Sequence, residues 1–163
     1  MEDFSNFVKV RYMWRYKLDD DYAVASEHLA GISFQNDWIT IIGGVMLIRK
    51  AYAWDGCTPS LRIPIYIFLP KGIWLGIPDG PLGTDGRPTA WKASLFHDAL
   101  CQYRDELYRH HVTKAKSVGL FRELLEVSQS PWWMLALYPW AVDKFGPQHW
   151  AQDADFETRL KAM

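Results

Sequence analysis

Apolar residues Val8, Val10, Tyr12, Trp14, Tyr16 and Leu18 stand at strict period two, with Lys9, Arg11, Arg15 and Lys17 between them. That alternation predicts a half-buried strand. Asp19-Asp20-Asp21 reads as its turn, and a short strand at Tyr22–Ala25 would close a hairpin with it. Further strands are predicted at Ile32–Phe34, Trp38–Ile42 and Val45–Arg49, separated by Gln35-Asn36-Asp37 and Gly43-Gly44. Such spacing describes an antiparallel meander with glycine-assisted turns. From Tyr52 to Pro88 the chain is rich in Pro and Gly, with Ile63–Pro70 as a further buried strand and an irregular loop around Asp79-Gly80.

After Pro88 the period changes to that of a helix. Leu95, Phe96, Leu100, Tyr103 and Leu107 form one stripe, and Thr89 stands where its cap would be. Thr113 is placed to cap a second helix carrying Val118, Phe121, Leu124 and Leu125, and Ser130-Pro131 to start a third that stops at Gly146, with a kink at Pro139. Residues 148–162 read as a short, charged fourth. The expected class is α+β: an N-terminal antiparallel β-meander packed against three or four C-terminal helices. The expected organisation is a single domain, β-rich over 1–70, loop over 71–88 and helical over 89–163.

Composition narrows the field. At 163 residues the chain suits one well-cored domain without disulfides or structural metal. A net charge of −1 gives nucleic acid no basic surface to meet, so the basic side of the first strand reads as a solvated face. The start, Met1-Glu2-Asp3-Phe4, lacks the basic and apolar regions of a secretory leader. The longest uncharged run, Val127–Val142, has 16 residues against the roughly 20 of a spanning helix. Cys57 and Cys101 are then expected as reduced thiols in a cytoplasm.

One segment carries candidate chemistry. In Ala93-Ser94-Leu95-Phe96-His97-Asp98-Ala99-Leu100-Cys101 a His-Asp pair interrupts an otherwise apolar helical turn. Upstream, Trp54-Asp55-Gly56-Cys57 follows a strand and includes the small residue that a tight backbone ligand loop needs. The loop and the helix are predicted to face each other.

These two motifs, with the later Trp140-Ala141-Val142-Asp143-Lys144-Phe145-Gly146, resemble a family found mostly in tailed bacteriophages and prophages. Its members carry a Thr-Asp-Gly-Ala-Ser loop, a His-Asp-x-Leu-Tyr helix and a later Ala-Asp-x-x-Phe helix. The resemblance spans roughly residues 45–146. It implies a phage accessory or virion-associated protein, located in the host cytoplasm or the virion, with phage or host proteins as partners. The His-Asp dyad also resembles, more loosely, that of secretory calcium-dependent phospholipases. This second resemblance implies His97 as general base of an ester hydrolase and Asp98 as a calcium ligand, with backbone oxygens of Trp54 and Gly56 completing the shell. The chain departs from both patterns at Cys101, where a Tyr is usual, and at Ser117 or Val118, where an acid is expected. Tyr103 lies two positions beyond Cys101. A base needs a carboxylate within about 2.6–3.2 Å of one ring nitrogen, and Asp55, Asp105 and Glu123 are the candidates.

Two rival readings use the thiols: zinc on Cys57, His97 and Cys101, or a Cys57–His97 nucleophile pair. Neither has a Cys-x-x-Cys spacing behind it. The segment Pro131–Trp140 holds Trp132, Trp133 and Trp140 and is expected to form an interface with a partner chain or at a membrane surface. Three function classes stay open: a binding protein, a metal-assisted ester hydrolase, and a degenerate enzyme that keeps the fold and works through its surface.

Overall fold

The computed structural model describes residues 15–57, 61–63, 73–75, 79–147 and 150. Four strands form the main sheet: β2 (Tyr22–Ala25), β3 (Phe34–Gln35), β4 (Ile39–Ile42) and β5 (Val45–Ile48), in the order β2-β5-β4-β3 and all antiparallel. Gly43 and Gly44 join β4 to β5 with φ of 58° and 79°. Positive φ at both central residues is what a two-residue hairpin of matching twist requires. Ile39, Ile41, Met46 and Ile48 alternate onto one face and are fully buried.

The first strand finds a different partner from the one its neighbours in sequence predict. β1 (Tyr16–Lys17) pairs with β6 (Ala53–Trp54), Tyr16 opposite Trp54, while β2 pairs with β5. The Asp19–Asp21 triplet is therefore not a hairpin turn. The Asp21 carboxylate instead accepts the Lys50 backbone N–H at 2.8 Å and pairs with Arg49 at 3.2 Å, tying the crossing to the end of β5. Residues 8–14 of the predicted strand lie outside the described residues. So do residues 64–70 of the Ile63–Pro70 strand; β7 (Leu61–Ile63) pairs with β8 (Ile73–Leu75), which falls within the predicted 71–88 loop.

Four helices follow: α1 (Trp91–Gln102), α2 (Arg104–Tyr108), α3 (Lys114–Val127) and α4 (Trp132–Phe145). The predicted first helix is split at Tyr103, so its stripe continues onto α2, where Leu107 is fully buried. Thr113 caps α3, its hydroxyl accepting the Lys116 N–H at 3.3 Å. Thr89 is not a cap. Ala90 holds that position, and Thr89 is buried with its hydroxyl 3.9 Å from the Met134 sulfur. Helix α4 starts after Pro131 without a side-chain cap, carries Pro139 inside it and ends at Gly146. Of the predicted 148–162 helix only Trp150 is among the described residues, and it is buried in the core. Leu95, Phe96 and Leu100 of α1 join Leu120 and Leu125 of α3 and the inner sheet face in one apolar core. Tyr22 of β2 meets Trp91 edge-on at 5.4 Å, fixing the sheet to the start of α1. Among the described residues no helix is long and apolar enough to cross a membrane.

Candidate functional site

The loop after β6 and the middle of α1 face each other across a pocket of about 420 Å³. Asp55, Gly56 and Cys57 line it from the loop, and Ser94, His97, Asp98 and Cys101 line it from α1. Phe121 of α3 and Tyr138, Val142 and Phe145 of α4 supply the apolar wall. A His-Asp pair can interrupt the buried side of α1 because this cavity, not packed core, lies beneath it.

A buried carboxylate in the irregular loop around Asp79-Gly80 holds the site's shape. Asp79 accepts the Tyr16 hydroxyl at 2.7 Å and the Cys57 backbone N–H at 2.9 Å, and pairs with Arg15 at 2.8 Å. It thereby clamps β1 and the 55–57 loop together. Gly56 stands at φ 78°, and a Cβ there would lie 2.8 Å from Asp79 Oδ1 and 2.9 Å from Tyr16 Cε2. Only glycine fits so close beneath the clamp. The one sequence signal for Asp79 was an acid directly before a glycine, which is also the pattern of an exposed turn.

The dyad is arranged differently from a braced base. Among the described residues the nearest carboxylate oxygen to a His97 ring nitrogen is that of Asp98, at 3.8 Å from Nδ1, beyond hydrogen-bond range. Cys101, one turn on, places its sulfur 3.4 Å from Nε2 and 3.7 Å from Nδ1. Phe121 meets the imidazole edge-on at 5.4 Å, and the side chain is only 12% exposed. The other proposed braces are engaged elsewhere: Glu123 accepts the Ser26 hydroxyl, and Asp105 is exposed beside Arg104. Burial pushes the Asp98 carboxyl above its ordinary range, and the nearby Asp55 charge adds to this, while His97 and the Asp55 backbone N–H act against it. Burial and the Asp98 charge raise the Cys101 thiol to about 12. The Cys57 thiol is raised by burial first and then by Asp79 and Asp98. Burial thus favours the neutral thiol at both sulfurs, the less nucleophilic form.

Two predicted site residues are not brought to the pocket. Trp54 is fully buried in β6, its indole N–H donating to Ser94 Oγ at 3.2 Å and its ring against Tyr16 and Trp91. Tyr103 ends α1 and accepts a hydrogen bond from Gln102 at 3.4 Å. Among the described residues no three His, Cys, Asp or Glu side chains are arranged to hold a metal ion.

Helix α4 presents the predicted aromatic segment unevenly. Trp132, Leu137, Trp140 and Phe145 are 81%, 55%, 54% and 61% exposed, and the Trp140 and Phe145 rings meet edge-on at 5.7 Å. Trp133 is half-buried against Tyr138 at 5.8 Å. Comparisons with protein-family models, with curated proteins and with solved structures found no match to this chain.

Proposed function

We propose that this protein is an accessory protein of the phage kind that works by binding, with the outer face of α4 as its contact with a partner protein. The observation that carries this reading is the exposed apolar surface of that helix. Trp132, Ala136 and Trp140 follow one another at helical i, i+4 spacing with Leu137 beside them, and all four are exposed. Large aromatic side chains left in water on one face of a short helix are the composition of a protein interface rather than of ordinary surface. A photo-crosslinking residue placed at position 132 or 140, with one at Glu126 as control, tests it in the producing cell. Adducts of one defined mass at 132 and 140, absent at 126, are expected. Equal labelling at all three positions overturns the reading.

A second reading, ester hydrolysis with His97 as general base, is favoured by a separate observation: the Asp-Gly loop and the His-Asp helix line the same pocket. The 3.8 Å gap between His97 and Asp98 and the sulfur beside Nε2 weigh against it. Turnover of short-chain nitrophenyl esters that disappears in His97→Ala would reverse the order of the two readings.

A further inference from the structure

The pocket beneath the 55–57 loop is lined by side chains of two chemical kinds. Asp55 and Asp98 put two carboxylates on its lining, and Phe121, Tyr138 and Phe145 put aromatic rings on it. Among the described residues no lysine or arginine forms an ion pair with either carboxylate. Of the groups acting on Asp98, His97 favours its ionised form and the Asp55 carboxylate repels it. A partly desolvated carboxylate with a like charge nearby and no fixed counter-cation is a costly arrangement, and a ligand that supplied the cation would relieve it.

We propose that this pocket binds a small organic cation, an alkylammonium whose head sits between Asp55 and Asp98 and whose apolar groups lie against Phe121, Tyr138 and Phe145. Each alternative ligand class meets a specific obstacle. A metal ion lacks a donor set among the described residues. An anion meets two carboxylates. A neutral apolar molecule would strip water from those carboxylates without pairing them. An alkylammonium pairs with them, and aromatic faces attract it through the ring quadrupole. The two sulfurs of Cys57 and Cys101 add polarizable surface against the alkyl groups. The pocket's size, about 420 Å³, lies within the range of small-molecule sites. The inference uses none of the exposed tryptophans and stands or falls apart from the α4 contact.

Isothermal titration calorimetry of the full chain tests it with choline, its neutral isostere 3,3-dimethyl-1-butanol, n-butylamine and butyrate. Saturable one-site binding of at least one cation is expected, with the neutral isostere about tenfold or more weaker and butyrate silent. Preference for the quaternary ion identifies a small-molecule head group as the source, and preference for butylamine identifies a lysine-like amine. Asp98→Asn and Asp55→Asn are each expected to weaken the cation about tenfold and to leave the isostere unchanged. If circular dichroism shows Asp98→Asn unfolded, Asp55→Asn in the loop carries the test. Equal affinity for cation and isostere, undiminished affinity in the folded variants, or no binding of either cation overturns the proposal.

Discussion

The Cys101 sulfur stands 3.4 Å from Nε2 of His97, one helical turn before it, and both side chains look into the same pocket. Desolvation keeps this thiol neutral, raising it from 9.0 to about 12 with the Asp98 charge acting in the same direction. An unfolded chain gives up the proton near pH 9.0, while the folded chain keeps it until about 12. The thiol's contribution to stability is therefore complete below pH 9 and is lost as pH rises through the folded value. Cys57 is shifted the same way. Urea unfolding should show a midpoint that falls between about pH 8 and about pH 10.5, with a shallower fall in Cys101→Ala. Native alkylation by iodoacetamide at neutral pH should be far slower than in urea.

Asp79 gathers a hydroxyl, a backbone N–H and a guanidinium from chain segments far from it in sequence. Removing it leaves the Tyr16 hydroxyl and the Cys57 N–H without their acceptor in largely dry surroundings. Asp79→Ala should cost about 2–4 kcal/mol, and Asp79→Asn less because one amide oxygen still accepts. Chemical denaturation measures both. A loss below about 0.5 kcal/mol in Asp79→Ala would show that the clamp is dispensable.

Two glycines with positive φ separate backbone strain from crowding. At Gly43 (φ 58°) a Cβ would meet nothing within 4 Å, so Gly43→Ala should cost only the left-handed backbone term, about 1 kcal/mol. At Gly56 (φ 78°) the same change adds contacts under 3 Å with Asp79 and Tyr16. Gly56→Ala should therefore be the more damaging by about 1–3 kcal/mol. It should also perturb amide resonances of Cys57 and Asp79, which Gly43→Ala should leave in place.

Much of this architecture was legible because it is local. The Gly43-Gly44 hairpin, the Thr113 cap and the Gly146 stop each depend on residues within one turn of one another. The meeting of the Asp-Gly loop with the His-Asp helix followed from two motifs read together. What escaped is non-local. Alternation tells which face of β1 is buried but not which strand it pairs with, and its partner β6 lies far along the chain, Tyr16 opposite Trp54. Asp79 looked like a turn residue because its partners Tyr16 and Cys57 are 63 and 22 positions away. The Trp54 side chain belongs to the core, which its place beside the loop does not reveal.

The exposed face of α4 should be separable from folding. Trp132 and Trp140 contribute little to the core at 81% and 54% exposure. Trp132→Ser and Trp140→Ser should each shift stability by no more than about 0.5 kcal/mol. Both should lower the yield of the defined crosslink from the neighbouring position. Met134, on the buried side of the same helix, is the contrast: Met134→Ala should cost about 2–5 kcal/mol.

Asp98 should be a residue whose loss strengthens the fold. Burial raises its carboxyl above 3.8, so at neutral pH the folded chain carries a charge that the unfolded chain would hold more cheaply in water. Protonation removes that penalty. Its stabilising effect is complete below 3.8 and is lost as pH rises through the folded value. Asp98→Asn fixes the neutral form, and its amide oxygen can still accept the Asp55 N–H that opposes the shift. The variant should therefore unfold at higher urea than the wild type at pH 7. The advantage should shrink as pH is lowered through the raised value toward 3.8, where the wild-type carboxyl is itself protonated. A variant equally or less stable at pH 7 would mean that the His97 contact, at 3.8 Å, outweighs desolvation and that the dyad is a structural pair. A gain in stability together with lost ammonium binding would mark Asp98 as a group kept for its ligand at the expense of the fold.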